Sequence, residues 1–281
     1  MPSTLVRETP LPPPGETVHK VIVFEDVVLA FEDNPVLDGV SFEVARGETK
    51  VLFGVAGSGK TTILKLVLGL VRPDRGRIWV LGHEVTAMSE DDLFDLRRKI
   101  GMVFQESALF DSLTVEENVA YRLREEGDLS EEEIHQRVEE ALRFVELGHT
   151  LAMFPSELSG GMRRRVAIAR AIVHRPEILL YDSPTAGLDP ITSTTIIELI
   201  VKQRDIYESS ALMVTHRLPD GFTLASHYFD SEANQMKPVA GTGRRETRTT
   251  FLILRDGKKI FDGTAREIVA SRDEYIREYL S

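Results

Sequence analysis

The sequence predicts an α/β fold with a mostly parallel central sheet, an antiparallel β subdomain at its N-terminal side and an inserted helical subdomain. Three observations support this prediction. Short apolar segments alternate with helical patterns from residue 50 onward, as in parallel sheets whose strands are joined by helices. Two β-branched segments precede them, and residues of roughly 90 to 175 carry mainly helical periodicity.

The composition describes a globular chain and excludes several classes of function. The 281 residues are 42% hydrophobic, which is enough to bury a substantial core. The formal charge of -11 argues against a nucleic-acid partner, because phosphate backbones attract clustered Lys and Arg. The absence of cysteine rules out disulfides and thiolate metal sites, as expected in a reducing compartment. No run of about 18 apolar residues occurs, and we expect the Pro-rich residues 1–17 to be a flexible lead rather than a secretion signal.

The first elements are two strands, then a strand that leads into a helix. Residues 21–28 and 36–44 are β-branched and separated by a turn signal, which predicts a small antiparallel sheet. Residues 50–53 are predicted to form a short buried strand that runs into a glycine-rich loop, and helical spacing follows from Ile63. The order is therefore strand, glycine loop, helix.

The middle of the chain is helical before strands return. Within the helical stretch, Ser130 and Glu133 have the spacing of a capping box. Strands are predicted at 178–181 and 211–215, separated by a helix around 192–203. Because strands and helices alternate here, we expect the central sheet to be parallel.

The C-terminal part contains a predicted hairpin and ends in a helix. Asp256 and Gly257 form a strong turn signal between two apolar segments. The polar residues 230–250 are expected to form a mobile loop insertion. We expect one main domain over residues 18–265 and a C-terminal helix over 266–281.

The glycine-rich loop has the spacing of a phosphate-binding loop. Its glycines allow backbone N–H groups to turn toward phosphate oxygens at a helix N-terminus, which favours anions. We expect Lys60 to neutralise the β- and γ-phosphates of a nucleotide, Thr61 to ligate Mg²⁺ and Thr62 to add a phosphate contact. A chance glycine-rich turn is the alternative, but the strand before and the helix after argue against it. The loop consists of Gly54, Val55, Ala56, Gly57, Ser58, Gly59, Lys60, Thr61 and Thr62.

A second element is an apolar strand that ends in a carboxylate, Asp182. An acid at the C-terminal edge of a parallel sheet can hold Mg²⁺ through water. Many buried strands end in Asp, so this signal becomes persuasive only when it is paired with the phosphate loop.

A third motif separates this chain from other phosphate-loop proteins. Residues 158–162 read Leu-Ser-Gly-Gly-Met, directly before a helical run and ahead of the Asp182 strand. The segment alone could be a helix cap, but with the other two motifs it resembles the signature of ABC transporter ATP-binding subunits. The resemblance implies a P-loop NTPase with a RecA-like sheet, in which ATP and Mg²⁺ lie between two ATPase subunits. Ser159, Gly160 and Gly161 would then contact the γ-phosphate held by the opposite subunit.

Four more residues match the same family in order along the chain. By this resemblance Phe31 stacks on adenine, and Gln105 senses Mg²⁺ and the attacking water and relays to the membrane subunit. Asp189 belongs to a loop that crosses the dimer, and His216 lies at the γ-phosphate. Simpler roles stay open: core packing for Phe31, a surface amide for Gln105 and a structural histidine at 216.

The chain departs from the family pattern at one position. The residue after the Mg²⁺-associated aspartate is ordinarily glutamate, and here it is Ser183. A serine hydroxyl is not basic near neutral pH, so losing this general base predicts hydrolysis slower by about 10² to 10⁴. Alternatives are turnover supported by His216, pairing with a different ATPase chain that carries the glutamate, and a residue exchanged to trap ATP.

The likeness narrows to the lipid-handling ATPases of the Mce and Mla type. Three segments carry it, together with a short C-terminal helix: residues 108–120, residues 155–162 and residues 189–192. It implies a peripheral subunit on the cytoplasmic face of the inner membrane. The implied partners are membrane-spanning permease subunits, a second ATPase subunit, identical or different, and a substrate-binding Mce-type protein.

Two further segments have open interpretations. Leu109, Phe110 and Leu113 would either accept a coupling helix from the permease or belong to the core. The three arginines at 163–165 would either reach phosphate or a partner or, as is more usual for charges near a helix start, form a solvated face, which we expect.

Two alternatives to the transporter subunit are considered. Soluble ABC ATPases that act on ribosomes carry two cassettes, and those of DNA repair separate their motifs by a long coiled coil; neither feature occurs here. The second alternative is a nucleotide-gated scaffold that binds ATP without hydrolysing it, and Ser183 keeps this reading open.

Overall fold

The computed structural model describes residues 19–32, 34–239 and 247–280. The strands, in chain order, are β1 Lys20–Phe31, β2 Asn34–Ala45, β3 Thr49–Phe53, β4 Arg75–Val80, β5 His83–Glu84, β6 Ile100–Val103, β7 Ile178–Asp182, β8 Ser210–Val214, β9 His227–Asp230, β10 Gln235–Pro238, β11 Thr249–Arg255 and β12 Lys258–Thr264. The α-helices are α1 Lys60–Val67, α2 Glu90–Arg97, α3 Val115–Glu126, α4 Glu131–Phe144, α5 Gly160–Ile172, α6 Pro190–Tyr207, α7 Leu218–Ser226, α8 Ala265–Val269 and α9 Glu274–Leu280.

The central sheet has six strands in the order β12, β11, β3, β8, β7 and β6. All neighbouring pairs from β11 to β6 are parallel, and only β12 is antiparallel, as the second strand of the C-terminal hairpin. Strands that are neighbours in the sheet but distant in sequence require crossovers, which the helices provide. The predicted α/β fold with a mostly parallel sheet is confirmed.

A second sheet is antiparallel and stands at the N-terminal side, in the order β2, β1, β4 and β5. Its long pair β1 and β2 buries Phe24 and Phe42 as stacked rings, with centroids 4.5 Å apart. This sheet confirms the predicted antiparallel β subdomain.

The parallel strands separate two hydrophobic cores. Along β3, Val51 and Phe53 belong to the core that includes the helical layer, whereas Leu52 belongs to the core beneath the N-terminal sheet and α1. Successive side chains of a strand point to opposite faces, so a strand covered on both faces is apolar throughout. This explains why the last three residues of β3, directly before the glycine-rich loop, are all apolar.

The helical layer is formed by α3, α4 and α5, which pack on one another. Helix α4 begins with the predicted capping box: the Ser130 N–H donates to Glu133 Oε2 over 2.9 Å, and the Glu133 N–H donates to Ser130 Oγ over 3.3 Å. The stretch 90–175 also contains β6, which pairs with β7 in the central sheet. The helical layer therefore begins after this strand.

The prediction of an irregular loop over 230–250 was wrong in its first half. Strands β9 and β10 form an antiparallel hairpin, with Met236 opposite Phe229. The Met236 N–H also donates to Glu198 on α6, which fixes the hairpin to the main domain. Residues 240–246 lie outside the described residues, as do the predicted lead 1–17 and the turn residue Asp33.

The C-terminal region contains two short helices, α8 and α9, where one helix over 266–281 was predicted. They are separated by residues 270–273, and both bury an isoleucine, Ile268 and Ile276. In the part of the chain that the structure describes, no helix combines the length and apolar character needed to cross a bilayer.

Candidate functional site

The carboxyl ends of four neighbouring strands meet at one edge of the central sheet. Strands β3, β8, β7 and β6 are adjacent and parallel, so the segments that follow them share this edge. The phosphate loop, residues 54–62, follows β3; Asp182 ends β7; His216 follows β8; Gln105 follows β6. Such an edge is where open α/β sheets bind ligands.

The glycines of the phosphate loop are required by its backbone. Gly54, Gly57 and Gly59 have φ angles of 150°, 80° and 91°, which side chains other than hydrogen rarely allow. A Cβ on Gly54 would lie 2.6 Å from the Leu254 carbonyl oxygen. Gly59 caps α1 without a side-chain acceptor, so the first N–H groups of this helix stay available to an anion.

Lys60 is folded back onto the loop that precedes it. Its Nζ donates to the carbonyl oxygens of Gly54 over 2.8 Å and Val55 over 2.7 Å, and to Ser58 Oγ over 3.2 Å. Burial lowers the pKa of Lys60, and the charge of Asp182 opposes that shift. The ammonium group thus lies in the centre of the loop on oxygen acceptors, which phosphate oxygens can replace.

Oxygen ligands suitable for Mg²⁺ converge beside the loop. Thr61 Oγ1 lies 3.3 Å from Asp182 Oδ1, and Ser183 Oγ lies 3.4 Å from the same carboxylate oxygen. Asp182 and Ser183 are both buried. Mg²⁺ is held in proteins by one or two carboxylates together with the phosphates of its substrate. The Asp182 carboxylate with the nearby Thr61 hydroxyl therefore fits the ion.

The signature motif lies on a different element. Ser159 caps α5, accepting a hydrogen bond from the Met162 N–H over 3.2 Å, and both Ser159 and Gly160 are exposed. A Cβ on Gly161 would lie 2.5 Å from Thr192 Cγ2, so only glycine allows this contact between α5 and α6. Among the described residues, no hydrogen bond joins residues 159–161 to the phosphate loop of the same chain.

Of the remaining predicted site residues, three are exposed and one caps a helix. Phe31, at the end of β1, is 47% exposed, and Gln105 and His216 are exposed at the sheet edge. Asp189 instead caps its own helix α6, accepting from the N–H groups of Ile191 and Thr192, each over 3.0 Å. The Thr192 hydroxyl and these N–H groups lower the pKa of Asp189.

Comparison with known proteins decides the family. The profile of the ABC transporter family matches residues 37–186. The chain belongs to the ABC transporter family. It is 33% identical over 265 residues to the intermembrane phospholipid transport system ATP-binding protein MlaF of Escherichia coli K12, covering 94% of this chain and 90% of that protein. It is 44% identical over 267 residues to the chloroplastic protein trigalactosyldiacylglycerol 3 of Arabidopsis thaliana, covering 92% of this chain and 73% of that protein.

A solved cassette has the same fold. The dimeric ATP-binding cassette MJ0796, determined in a post-hydrolysis state with ADP and Pi, aligns with a TM-score of 0.71 and 29% identity. The alignment covers 86% of this chain and 98% of that one. ABC cassettes bind ATP and act as dimers with membrane components, and this chain is an ATPase of that family.

The structure adds two residues that sequence reasoning did not select in this cassette. The first is Asp220 on α7, which accepts hydrogen bonds from the hydroxyls of Thr185 and Thr215. Burial raises the pKa of Asp220, although these hydrogen bonds and Arg217 oppose the shift. Asp220 therefore ties the segment after β7 to the segment that carries His216. Its position in the sequence, four residues after His216, does not by itself mark this contact.

The second is Arg164, which corrects the expectation that residues 163–165 form a solvated face. Arg164 is 5% exposed. Its guanidinium donates to the Phe104 carbonyl over 2.9 Å and to the Ala186 carbonyl over 3.4 Å. It thus joins the residue before Gln105 to the segment that leads to Asp189. Nothing in the run of three arginines distinguishes the buried one from its neighbours.

Proposed function

We propose that this ABC ATPase powers a transporter for phospholipid or another hydrophobic substrate, of the Mce and Mla type, from the cytoplasmic face of the inner membrane. The observation that carries the ATPase part is the meeting of Lys60, Thr61 and Asp182 at one sheet edge. The similarity to MlaF, an ATP-binding protein of an intermembrane phospholipid transport system, supports the phospholipid class, since the match covers nearly the whole chain.

We assign the triphosphate to the phosphate loop. Lys60 exchanges the carbonyl oxygens of Gly54 and Val55 for oxygens of the β- and γ-phosphates, while the loop N–H groups surround them. Thr61 and Asp182 would hold Mg²⁺, which would neutralise phosphate charge. The exposed ring of Phe31 offers a face on which adenine stacks.

The attacking water lies, in this proposal, between the segments after β6, β7 and β8. Gln105 and His216 are exposed at this edge and free to orient the water and the γ-phosphate. Ser183 can orient the water but cannot accept its proton, so the proposal includes slow hydrolysis. Asp220 supports His216 indirectly, by fixing Thr215.

A second ATPase subunit completes each site. Because Ser159, Gly160 and Gly161 are not bonded to the phosphate loop of their own chain, they are available to the γ-phosphate of a neighbouring subunit. Asp189 caps α6, whose Thr192 lies against Gly161, and would lie at the same subunit boundary. The partners we propose beyond this dimer are membrane-spanning permease subunits and an Mce-type substrate-binding protein.

Purification of the intact complex from its native membrane tests this function. Companion subunits identified by mass spectrometry should include a permease, and lipid extraction should release phospholipid in a fixed ratio to the ATPase. A complex that carries a permease but a polar solute in place of lipid would refute the substrate class. Copurifying ribosomes or DNA without any permease would refute the transporter.

A nucleotide-gated scaffold is the second candidate, and Ser183 is the observation that favours it. Radiolabelled ATP distinguishes the two in the purified complex. Retention of ATP without phosphate release supports the scaffold, whereas steady phosphate release that disappears in a Lys60→Ala variant supports the enzyme.

A further inference from the structure

The C-terminal helix α9 reaches the base of the phosphate loop. The Gly54 N–H donates to the Tyr279 hydroxyl over 3.2 Å, although the two residues are far apart in the sequence. The Tyr279 ring also packs on Phe53, the last residue of β3, with centroids 6.2 Å apart. One side chain therefore contacts both the strand end and the first residue of the loop.

Tyr279 is held in place by its own helix. Ile276 is 2% exposed and belongs to the core of the helical side. The Tyr275 ring stacks on Tyr279 with centroids 6.1 Å apart, and the Arg255 guanidinium lies 4.2 Å from the centroid of Tyr275. These contacts anchor α9 independently of the hydrogen bond to the loop.

Gly54 is held from two sides. Its N–H donates to Tyr279, and its carbonyl oxygen accepts from Lys60 Nζ over 2.8 Å. The φ angle of 150° and the 2.6 Å approach of the Leu254 carbonyl leave no room for another residue here. The orientation of the two peptide groups on either side of Gly54 sets the direction in which the loop leaves β3, and hence where its N–H groups point.

We propose that Tyr279 is a positioning residue for nucleotide binding: α9 braces the phosphate loop by fixing Gly54, and this brace raises the affinity of the loop for nucleotide phosphates. The brace rests on the proposed function, in which this loop binds ATP. Loop geometry fixed before binding does not have to be established by the ligand, which is why a brace increases affinity.

Two matched variants of the full chain test the brace. Tyr279→Phe removes the hydroxyl that accepts from Gly54 and keeps the ring on Phe53. Tyr275→Phe removes a hydroxyl from the same helix that has no hydrogen-bond partner among the described residues. The affinity for a fluorescent ATP analogue with Mg²⁺ should fall about two- to tenfold in Tyr279→Phe, the range of one neutral hydrogen bond, and stay unchanged in Tyr275→Phe. Steady-state ATPase assays should show a raised KM with unchanged kcat.

Thermal unfolding without nucleotide separates positioning from stability. A role limited to stability would lower the Tm of Tyr279→Phe without changing its nucleotide affinity, and that result overturns the proposal. So does an equal loss of affinity in both variants. Lys60→Ala serves as the reference for the site. If Lys60→Ala also binds ATP with normal affinity, the proposed function fails. If only Tyr279→Phe binds ATP with normal affinity, the brace alone is refuted.

Discussion

We propose that the catalytic rate of this cassette depends on Ser183. It follows Asp182 directly, is buried, and its hydroxyl lies 3.4 Å from Asp182 Oδ1. Its φ angle of 47° turns the chain sharply at the end of β7. The position therefore faces the proposed Mg²⁺ site but carries no group able to take a proton from water.

Replacing Ser183 by Glu should accelerate hydrolysis. A carboxylate at this position would polarise the attacking water, and a positioned general base is worth about 10²- to 10⁴-fold in rate. The measurement is the steady-state ATPase rate of the full transporter. Ser183→Gln is the control, since it has the same size without a basic group and should remain slow. A Glu variant no faster than the parent protein would show that this position does not limit turnover.

Arg164 illustrates how one element positions two others. From α5 it reaches the carbonyls of Phe104 and Ala186, and its neighbour Arg170 donates to the carbonyls of Ser107 and Ala108 over 2.9 Å and 2.7 Å. Burial lowers the pKa of both arginines. The signature helix thereby carries the segment after β6, so movement of one is coupled to the other.

Arg164→Met should weaken this coupling. Methionine fills similar volume but removes the donor to the Ala186 carbonyl and one of two donors to the Phe104 carbonyl, which still accepts from the Ser107 N–H. We expect a loss of about 1 to 3 kcal/mol in the free energy of unfolding. ATPase activity of the complex should fall while the nucleotide affinity of the isolated chain stays the same. The control is Arg143→Met on α4, because Arg143 is exposed. Equal effects of the two substitutions would contradict a positioning role.

His174, which follows helix α5, should make the folding stability of the protein sensitive to acid. Burial, reinforced by the charge of Arg122 3.0 Å away, lowers the pKa of His174 to about 3. Between the ordinary histidine value of 6.5 and about 3, the unfolded chain binds a proton here that the folded chain does not. Stability contributed by neutral His174 is thus complete above pH 6.5 and lost as pH falls through this window.

Chemical denaturation across that window measures the effect. The free energy of unfolding should fall more steeply with decreasing pH in the parent chain than in His174→Asn, by up to about 1.4 kcal/mol per pH unit. Identical pH dependence of the two chains would show that His174 titrates alike in both states.

At the level of elements, sequence patterns predicted the strands that are apolar throughout and the helices with clear caps. They did not predict β6 as a strand, because a four-residue run that contains Gly101 has no periodicity of its own. The hairpin of β9 and β10 was missed because many of its residues are polar and its two strands pair only with each other. The strand structure of β6 and of the hairpin is determined by the segments they pack against rather than by their own sequences.

For the whole molecule, the parts of the candidate site that directly follow a strand in the sequence were predictable. A glycine loop after one strand and an aspartate after another must meet if both strands are parallel and adjacent. Contacts that depend on distant packing were not predictable: Asp220 with Thr185, Arg164 with Phe104, and Tyr279 with Gly54. No local pattern marks them, since each forms only once the layers have packed.

The central claim concerns two molecules, because Lys60 and Ser159 of one chain are proposed to serve different nucleotides. A mixture of two defective chains tests it directly. Lys60→Ala lacks the phosphate contact, and Ser159→Arg blocks the signature with a bulky side chain. In a mixed dimer, one site still combines Lys60 from the second chain with Ser159 from the first.

The decisive measurement is the retention of radiolabelled ATP with Mg²⁺ in the dimer fraction from size-exclusion chromatography. Each variant alone should elute without retained ATP, and the mixture should recover an ATP-bound dimer. A mixture as empty as its separate components, under conditions in which the parent chain retains ATP, would contradict the shared site.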